Sequence, residues 1–289
     1  MFYRRSRLVA AALALAVAAD AQDREVQRHE LESPEGRLLG YYSAALAVTP
    51  LGVPFRNGAL TWTSEFGFEL GYIPYLTRQQ RSAGFDKPEA SNLSPLLPRP
   101  HISLVIPAQL VLQGSWLPPV KVMGAEANLF SVSLRRALLV GGMAIAPRIS
   151  YMSGRVKAPI TCSDDLGAGE ADERIYYANI CHARESEDYF DPTHFSFDVT
   201  FTELPQLAGA TSYVAVGVRR ESSSFDIGVI GNDGLRDPDH PVLEMVATRS
   251  YAVAGLQWDP NKRRRYGFEI FFSPGSLVTV RAHGALWLR

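Results

Sequence analysis

From Leu60 to Tyr72 the side chains alternate strictly. Leu60, Trp62, Phe66, Phe68, Leu70 and Tyr72 share one face with Ser64, while Thr61, Thr63, Glu65, Gly67, Glu69 and Gly71 share the other. The same period of two returns at Phe195, Phe197, Val199 and Phe201, set against His194, Ser196, Asp198 and Thr200. It returns again at Tyr266, Phe268, Ile270 and Phe272. Such segments read as β-strands with one greasy face. Alternation also fits a soluble sandwich, but strand length and aromatic placement favour a membrane. Trp62 and Tyr72 sit on one face and about 33 Å apart along an extended strand. Tilted as barrel strands are, that covers about 24 Å of membrane normal, close to the apolar band between aromatic girdles.

The pattern places strands at 59–73, 100–107, 109–118, 123–136, 139–154, 193–203, 211–229, 243–257, 265–272 and 276–288. The expected fold class is therefore all-β: a transmembrane antiparallel up-and-down β-barrel of about ten strands, with 12–14 as rivals. Gly40 to Val48 also looks partly strand-like, and counting it shifts the number upward. The long connections are 74–99, 155–192 and 230–242. With the C-terminus in the periplasm, counting backwards puts all three outside, and short turns such as Pro107-Ala108-Gln109 and Ala137-Leu138 fall on the inner side. Outer-membrane barrels have this asymmetry.

Ahead of the strands lies an address. Arg4, Arg5 and Arg7 precede the apolar stretch Leu8 to Ala19, and Ala19-Asp20-Ala21 fits a cleavage site, so residues 1–21 read as a secretory signal peptide. The stretch is too short to span a bilayer as a helix. The division that follows is a signal peptide at 1–21, an N-terminal segment at 22–58 that enters the lumen or sits below it in the periplasm, and a barrel at 59–289. The expected location is the bacterial outer membrane.

Composition narrows the function classes. At 46% hydrophobic and 20% charged the chain is too apolar to be disordered. Its net charge of -1 gives no basic footprint for nucleic acid. Two cysteines cannot build a zinc site alone. No Walker loop, dinucleotide fingerprint or His-Glu-x-x-His is present, and neither a cofactor nor a metal is expected.

Phe66-Gly67-Phe68-Glu69-Leu70-Gly71-Tyr72 followed by a proline-rich connection, after a signal and an N-terminal segment, resembles the FadL-type outer-membrane transporters of hydrophobic compounds. Leu97-Pro98-Arg99-Pro100 through Trp116-Leu117-Pro118, then Leu129 to Arg135, is similar to a group of uncharacterised outer-membrane barrels. The resemblance implies passive uptake of small hydrophobic solutes through a barrel plugged by its own N-terminus. No individual ligand-binding residue is carried over from it.

If the aromatic faces meet lipid, the lumen receives Glu65, Glu69, Arg135, Arg148, Asp198, Arg249, Glu269 and Arg281. An Arg on the lipid face costs about 2–4 kcal/mol at mid-membrane, which favours the inward assignment. Two readings stay open for these charges: an interlocked network closing a narrow bore, or a polar eyelet that selects solutes. Cys162 and Cys181 are expected to form a disulfide, because export crosses an oxidising compartment. Asp164, Asp165, Glu170, Asp172, Glu173, Glu185, Glu187 and Asp188 make the same loop acidic. It either bridges lipopolysaccharide through divalent cations or is simply solvated. For catalysis the one candidate is His194-Phe195-Ser196, since outer-membrane phospholipases use a His-x-Ser pair. Here Phe197-Asp198 stands where theirs continues Asn-Gly, and the pair faces inward, so no catalytic residue is assigned. Expected partners are outer-membrane lipid and lipopolysaccharide, the barrel-assembly machinery and a small hydrophobic ligand. A non-transporting surface scaffold is the alternative function.

Overall fold

The computed structural model describes residues 25–53, 63–76, 96–122, 124–140, 143–169, 171–207, 210–237, 239–261 and 263–288. The expected signal peptide at 1–21 and the expected girdle residue Trp62 lie outside the described residues.

The long strands are β2 (Ser64–Tyr72), β3 (Leu96–Ile106), β4 (Leu110–Val122), β5 (Ala125–Arg136), β7 (Met143–Ala158), β8 (Asp188–Leu207), β9 (Ala210–Asp226), β10 (Val242–Asn261), β11 (Arg264–Ser273) and β12 (Leu277–Leu288). Each pairs antiparallel with the next, and β12 returns to pair with β2. The result is a closed ten-strand barrel. Two short strands are additions: β6 (Leu138–Val140) lies against β7, and β1 (Val26–His29) runs parallel to the start of β10.

The alternation shows why the sheet closes as it does. Phe66, Phe68 and Leu70 on β2, Phe195 and Phe197 on β8, and Tyr266, Phe268, Ile270 and Phe272 on β11 all point away from the axis and are exposed. Their neighbours Glu65, Glu69, Asp198 and Glu269 are buried inside. A continuous apolar belt of this extent is far larger than the patches that monomeric soluble proteins expose. Among the described residues no helix is long and apolar enough to cross a membrane.

Several boundaries differ from the sequence pattern. β8 begins at Asp188 and not at 193, β3 at Leu96 and not at 100, and β10 runs on to Asn261. The alternation that marks a half-buried strand lapses for a different reason in each: Leu96 and Leu97 make the start of β3 apolar on both faces, Asp259 to Asn261 belong to the turn end of β10, and β8 gains Asp188 to Pro192 at the loop end. The loop end of the barrel is therefore uneven. β7 to β10 stand tall, while β11, β12 and β2 stop near Phe272, Leu277 and Tyr72.

Gly40 to Val48 is not a strand. Residues Pro34–Ala45 form helix α1 inside the barrel. Ser33 caps it by accepting a hydrogen bond from the Gly36 N–H at 3.0 Å, and Pro34 occupies the first turn. Tyr41, Ala44 and Ala45 pack on Tyr213, Ala215, Tyr251 and Phe271 of the wall. Small side chains let a helix fit in so narrow a bore. At Gly40 a Cβ atom would come within 2.7 Å of Leu31 and 3.2 Å of Arg249. From α1 the chain descends as an extended segment, residues 46–53.

Over the loop end, helices α2 (Asp164–Gly167) and α3 (Ala171–Asn179) are tied by the Cys162–Cys181 disulfide. Asp188 anchors this roof by accepting from the Thr161 N–H at 2.6 Å, the Ser186 hydroxyl at 2.8 Å and the Gly228 N–H at 2.7 Å.

Candidate functional site

The ring has a seam. β3 pairs with β2 from Leu96 onward, and β4 pairs with β5 as far as Val122. Between β3 and β4 the ladder runs only from His101↔Ser115 toward the turn end. Above it, Leu96 to Pro100 and Trp116 to Val122 are not joined to each other. The sequence accounts for the break. Pro98 and Pro100 on one edge and Pro118 and Pro119 on the other carry no N–H for a ladder. A bulge between Leu117 and Val120 bends β4 as well.

At this seam lies a cavity of about 350 Å³. Tyr41, Leu97 and Phe190 line it from the bore, all buried, and the outward-facing Phe68, Leu96 and Pro100 line it from the outer surface of the barrel. It therefore passes through the wall. Among the described residues no charged side chain lines it. Its size and apolar lining suit a small uncharged molecule. A buried ionised group with no partner would be strongly disfavoured there.

Below the cavity the bore changes character. Arg99, Arg135, Arg148, Arg265 and Arg281 are buried there with Glu65, Glu69, Asp198 and Glu269, and Arg219, Arg249 and Glu221 are buried beside α1. Glu69 meets Arg281 at 2.9 Å and Arg99 at 3.5 Å, and Glu65 meets Arg265 at 3.2 Å. Arg148 donates to Asp198 through Nε at 2.9 Å and Nη2 at 2.6 Å. Arg249 pairs with Glu221 at 2.5 Å. Arginines outnumber carboxylates, and the descending segment supplies further acceptors. Its carbonyls receive Arg99 at Leu46 (2.9 Å), Arg281 at Ala47 (2.6 Å), Arg148 at Thr49 (2.7 Å) and Arg135 at Pro50 (3.2 Å). Its donors are met too. Thr49 donates to Glu269, the Gly52 N–H to the Tyr213 hydroxyl at 3.1 Å, and the Val53 N–H to Gln257 Oε1 at 2.9 Å. Gly52 has a φ of 98°, and a Cβ atom there would sit 2.3 Å from Gln257 Oε1, so glycine alone suits the position.

The eight charged residues picked out by alternation are all buried inside the barrel: Glu69, Arg135, Arg148, Asp198, Glu269 and Arg281 join through the wall or this segment, while Glu65 pairs with Arg265 and Arg249 with Glu221. Reasoning from pattern missed Arg99, Arg219, Glu221 and Arg265. The strand pattern puts Arg99 in the 74–99 connection, although Arg99, His101 and Ser103 alternate with Pro98, Pro100 and Ile102. Arg219 and Glu221 sit where β9 leaves the belt and Ser222 to Ser224 blur the period. The backbone acceptors carried no signal in the side-chain pattern.

His194 and Ser196 share the inner face of β8, but the fold does not bring them together. His194 Nε2 lies 2.6 Å from the Ser43 hydroxyl of α1, and Ser196 bonds to Ser150 across the ladder. In the acidic loop, Asp164 accepts from the Tyr177 hydroxyl at 2.7 Å. Burial and this carboxylate push the Tyr177 phenol up to about 12. Among the described residues no group of acidic, His or Cys side chains is placed to hold a metal ion.

No family model matches the chain, and no curated protein does. Among solved structures it is similar to Ail, the attachment invasion locus protein of Yersinia pestis, at 11% identity and a TM-score of 0.27, covering 78% of this chain and 95% of that one. The Acinetobacter baumannii outer membrane protein Omp33 aligns at 6% identity and 0.27, covering 78% and 98%. The Pseudomonas putida toluene transporter TodX aligns at 8% and 0.30, covering 91% and 77%. The closed barrel rests on the strand pairing of this chain itself.

Proposed function

We propose that the protein is an outer-membrane barrel that lets small uncharged apolar solutes through passively, by way of the seam between β3 and β4. The observation that carries this reading is the apolar cavity astride the wall, open to bore-facing and lipid-facing side chains alike. The loop end faces the cell exterior in this reading, and the apolar belt sits in the outer membrane with lipid and lipopolysaccharide around it. Insertion falls to the barrel-assembly machinery. A solute leaving sideways into lipid has no need of an aqueous channel, and the clamped segment beneath the cavity is consistent with a bore closed to ions.

The test is equilibrium binding of N-phenyl-1-naphthylamine to the purified protein in detergent. The expected result is saturable fluorescence enhancement that Leu97→Trp abolishes and that a fatty acid anion competes for weakly. Binding that is equal in Leu97→Trp overturns the proposal. The second reading, a barrel that transports nothing and serves as a surface scaffold, is favoured by the charge-clamped bore. It predicts no saturable binding at all. No hydrolytic role is proposed for His194 and Ser196, whose burial inside the barrel keeps them from a lipid ester.

A further inference from the structure

On the outer surface of the wall, above the apolar belt, three cations gather on one ring. Arg155 and Arg236 place their guanidinium carbons 5.1 Å from the centroid of Tyr189, and Lys157 places its ammonium 5.7 Å from it. Alternation dictates the place. On β7, Tyr151, Ser153, Arg155 and Lys157 face outward in turn, beside Phe195, Thr193, Asp191 and Tyr189 of β8. The last rings of the belt here are Tyr151 and Phe195, which are register partners. Arg155 is four positions beyond, about 13 Å along the strand and about 9 Å in height once the strand is tilted. That is the level of lipid headgroups.

We propose that Tyr189, Arg155, Lys157 and Arg236 form a site for a phosphate monoester carried by an outer-leaflet lipid. The ring holds the three cations side by side through cation–π attraction. Two guanidinium forks and an ammonium together match a tetrahedral dianion, whose several oxygens can each take a donor. The site opens toward the membrane perimeter, so a ligand anchored in the leaflet reaches it by lateral diffusion. Three carboxylates share the cluster. Asp191 accepts from Arg155 at 2.6 and 2.8 Å, Glu187 pairs with Lys157 at 3.2 Å, and Asp226 pairs with Arg236 at 2.9 Å. The empty site is therefore balanced, and a phosphate has to compete with them. Exposed donors remain on Arg155, 60% exposed, and Lys157, 40% exposed, while Arg236 Nε is buried beside Gly228.

Competition of this kind gives the test a direction that a structural role does not share. The full chain in detergent micelles is titrated with fluorescent lipid A bisphosphate, with dephosphorylated lipid A and with inorganic phosphate as competitor. The expected result is about tenfold tighter binding of the bisphosphate than of the dephosphorylated lipid, a preference lost in the triple variant R155Q/K157Q/R236Q. Asp191→Asn, which frees Arg155, is expected to bind about threefold more tightly. If the triple variant loses its compact unboiled gel band, Lys157→Gln alone replaces it, with about a threefold loss expected. A preference that survives these variants overturns the site, as does weaker binding by a folded Asp191→Asn. Displacement by millimolar inorganic phosphate overturns the lipid as its source. The inference rests on the barrel lying in an outer membrane. That reading fails separately, if the wild-type protein shows no heat-modifiable band.

Discussion

Among the described residues, two breaks in the ladder at the loop end are treated in opposite ways. Between β10 and β11 the pairing begins at Ala252↔Phe272, and the chain seals the gap above with its own parts. β1 pairs with Val242 to Met245 of β10. Lower down, Arg249 reaches from β10 to the Gly40 carbonyl at 2.6 Å, to Glu221 and to the Ser276 hydroxyl. Between β3 and β4 no such strand or clamp is placed among the described residues, and the break is lined by prolines, aliphatic side chains and rings. An open sheet edge in a membrane leaves backbone polar groups to be satisfied. One break meets this with added strand and charge. The other reduces the demand by using residues without an N–H. Under the proposed function the polar, filled break is a seal and the apolar, hollow one a doorway.

The contrast can be broken most severely from beneath. Asp198→Ala leaves Arg148 buried with its carboxylate removed, and a buried pair broken in this way costs about 3–5 kcal/mol. The unboiled compact band should then unfold at a clearly lower temperature, and single-channel recordings should show openings as the Val48 and Thr49 carbonyls lose a fixed clamp. At the doorway, Leu97→Trp fills the cavity and should cut apolar solute entry about tenfold, with stability changed by less than about 2 kcal/mol, since filling existing space avoids most overpacking strain. At the seal, Arg249→Met removes the bond to Gly40 and leaves Glu221 with Arg219 at 3.1 Å as its nearby cation. The expected loss is about 1–3 kcal/mol, read as earlier thermal unfolding, with solute entry unchanged. The smallest effect belongs to Pro100→Val. A regained N–H lets the two edges approach, and entry should fall about twofold at nearly constant stability.

Much of the barrel is legible in the sequence because lipid on one side and a polar bore on the other force a period of two on every strand that crosses. Phe66 to Tyr72 and Tyr266 to Phe272 state their orientation outright. The period lapses where the two faces share a character, so the loop end of β8, the turn end of β10 and the apolar start of β3 carry no strand signal. Helix α1 was hidden for a different reason. Its residues Gly40, Ser43, Ala44 and Ala45 are small enough to fit inside a wall, which gives no amphipathic stripe and leaves Gly40 to Val48 partly strand-like in pattern. The cavity was the least legible feature, since it depends on which strands fail to pair. Only the prolines at 98, 100, 118 and 119 hint at it.

The most direct measurement uses intact cells whose lipopolysaccharide leaflet keeps N-phenyl-1-naphthylamine out. Its entry is followed by fluorescence in cells producing the wild-type protein or Leu97→Trp, and ion conductance of the same purified proteins is recorded in planar bilayers. Faster dye entry with the wild type alone, and no ion-conducting openings from either protein, is the expected result. Stable open-channel conductance in the wild type, or dye entry indifferent to Leu97→Trp, would contradict a hollow seam above a closed bore.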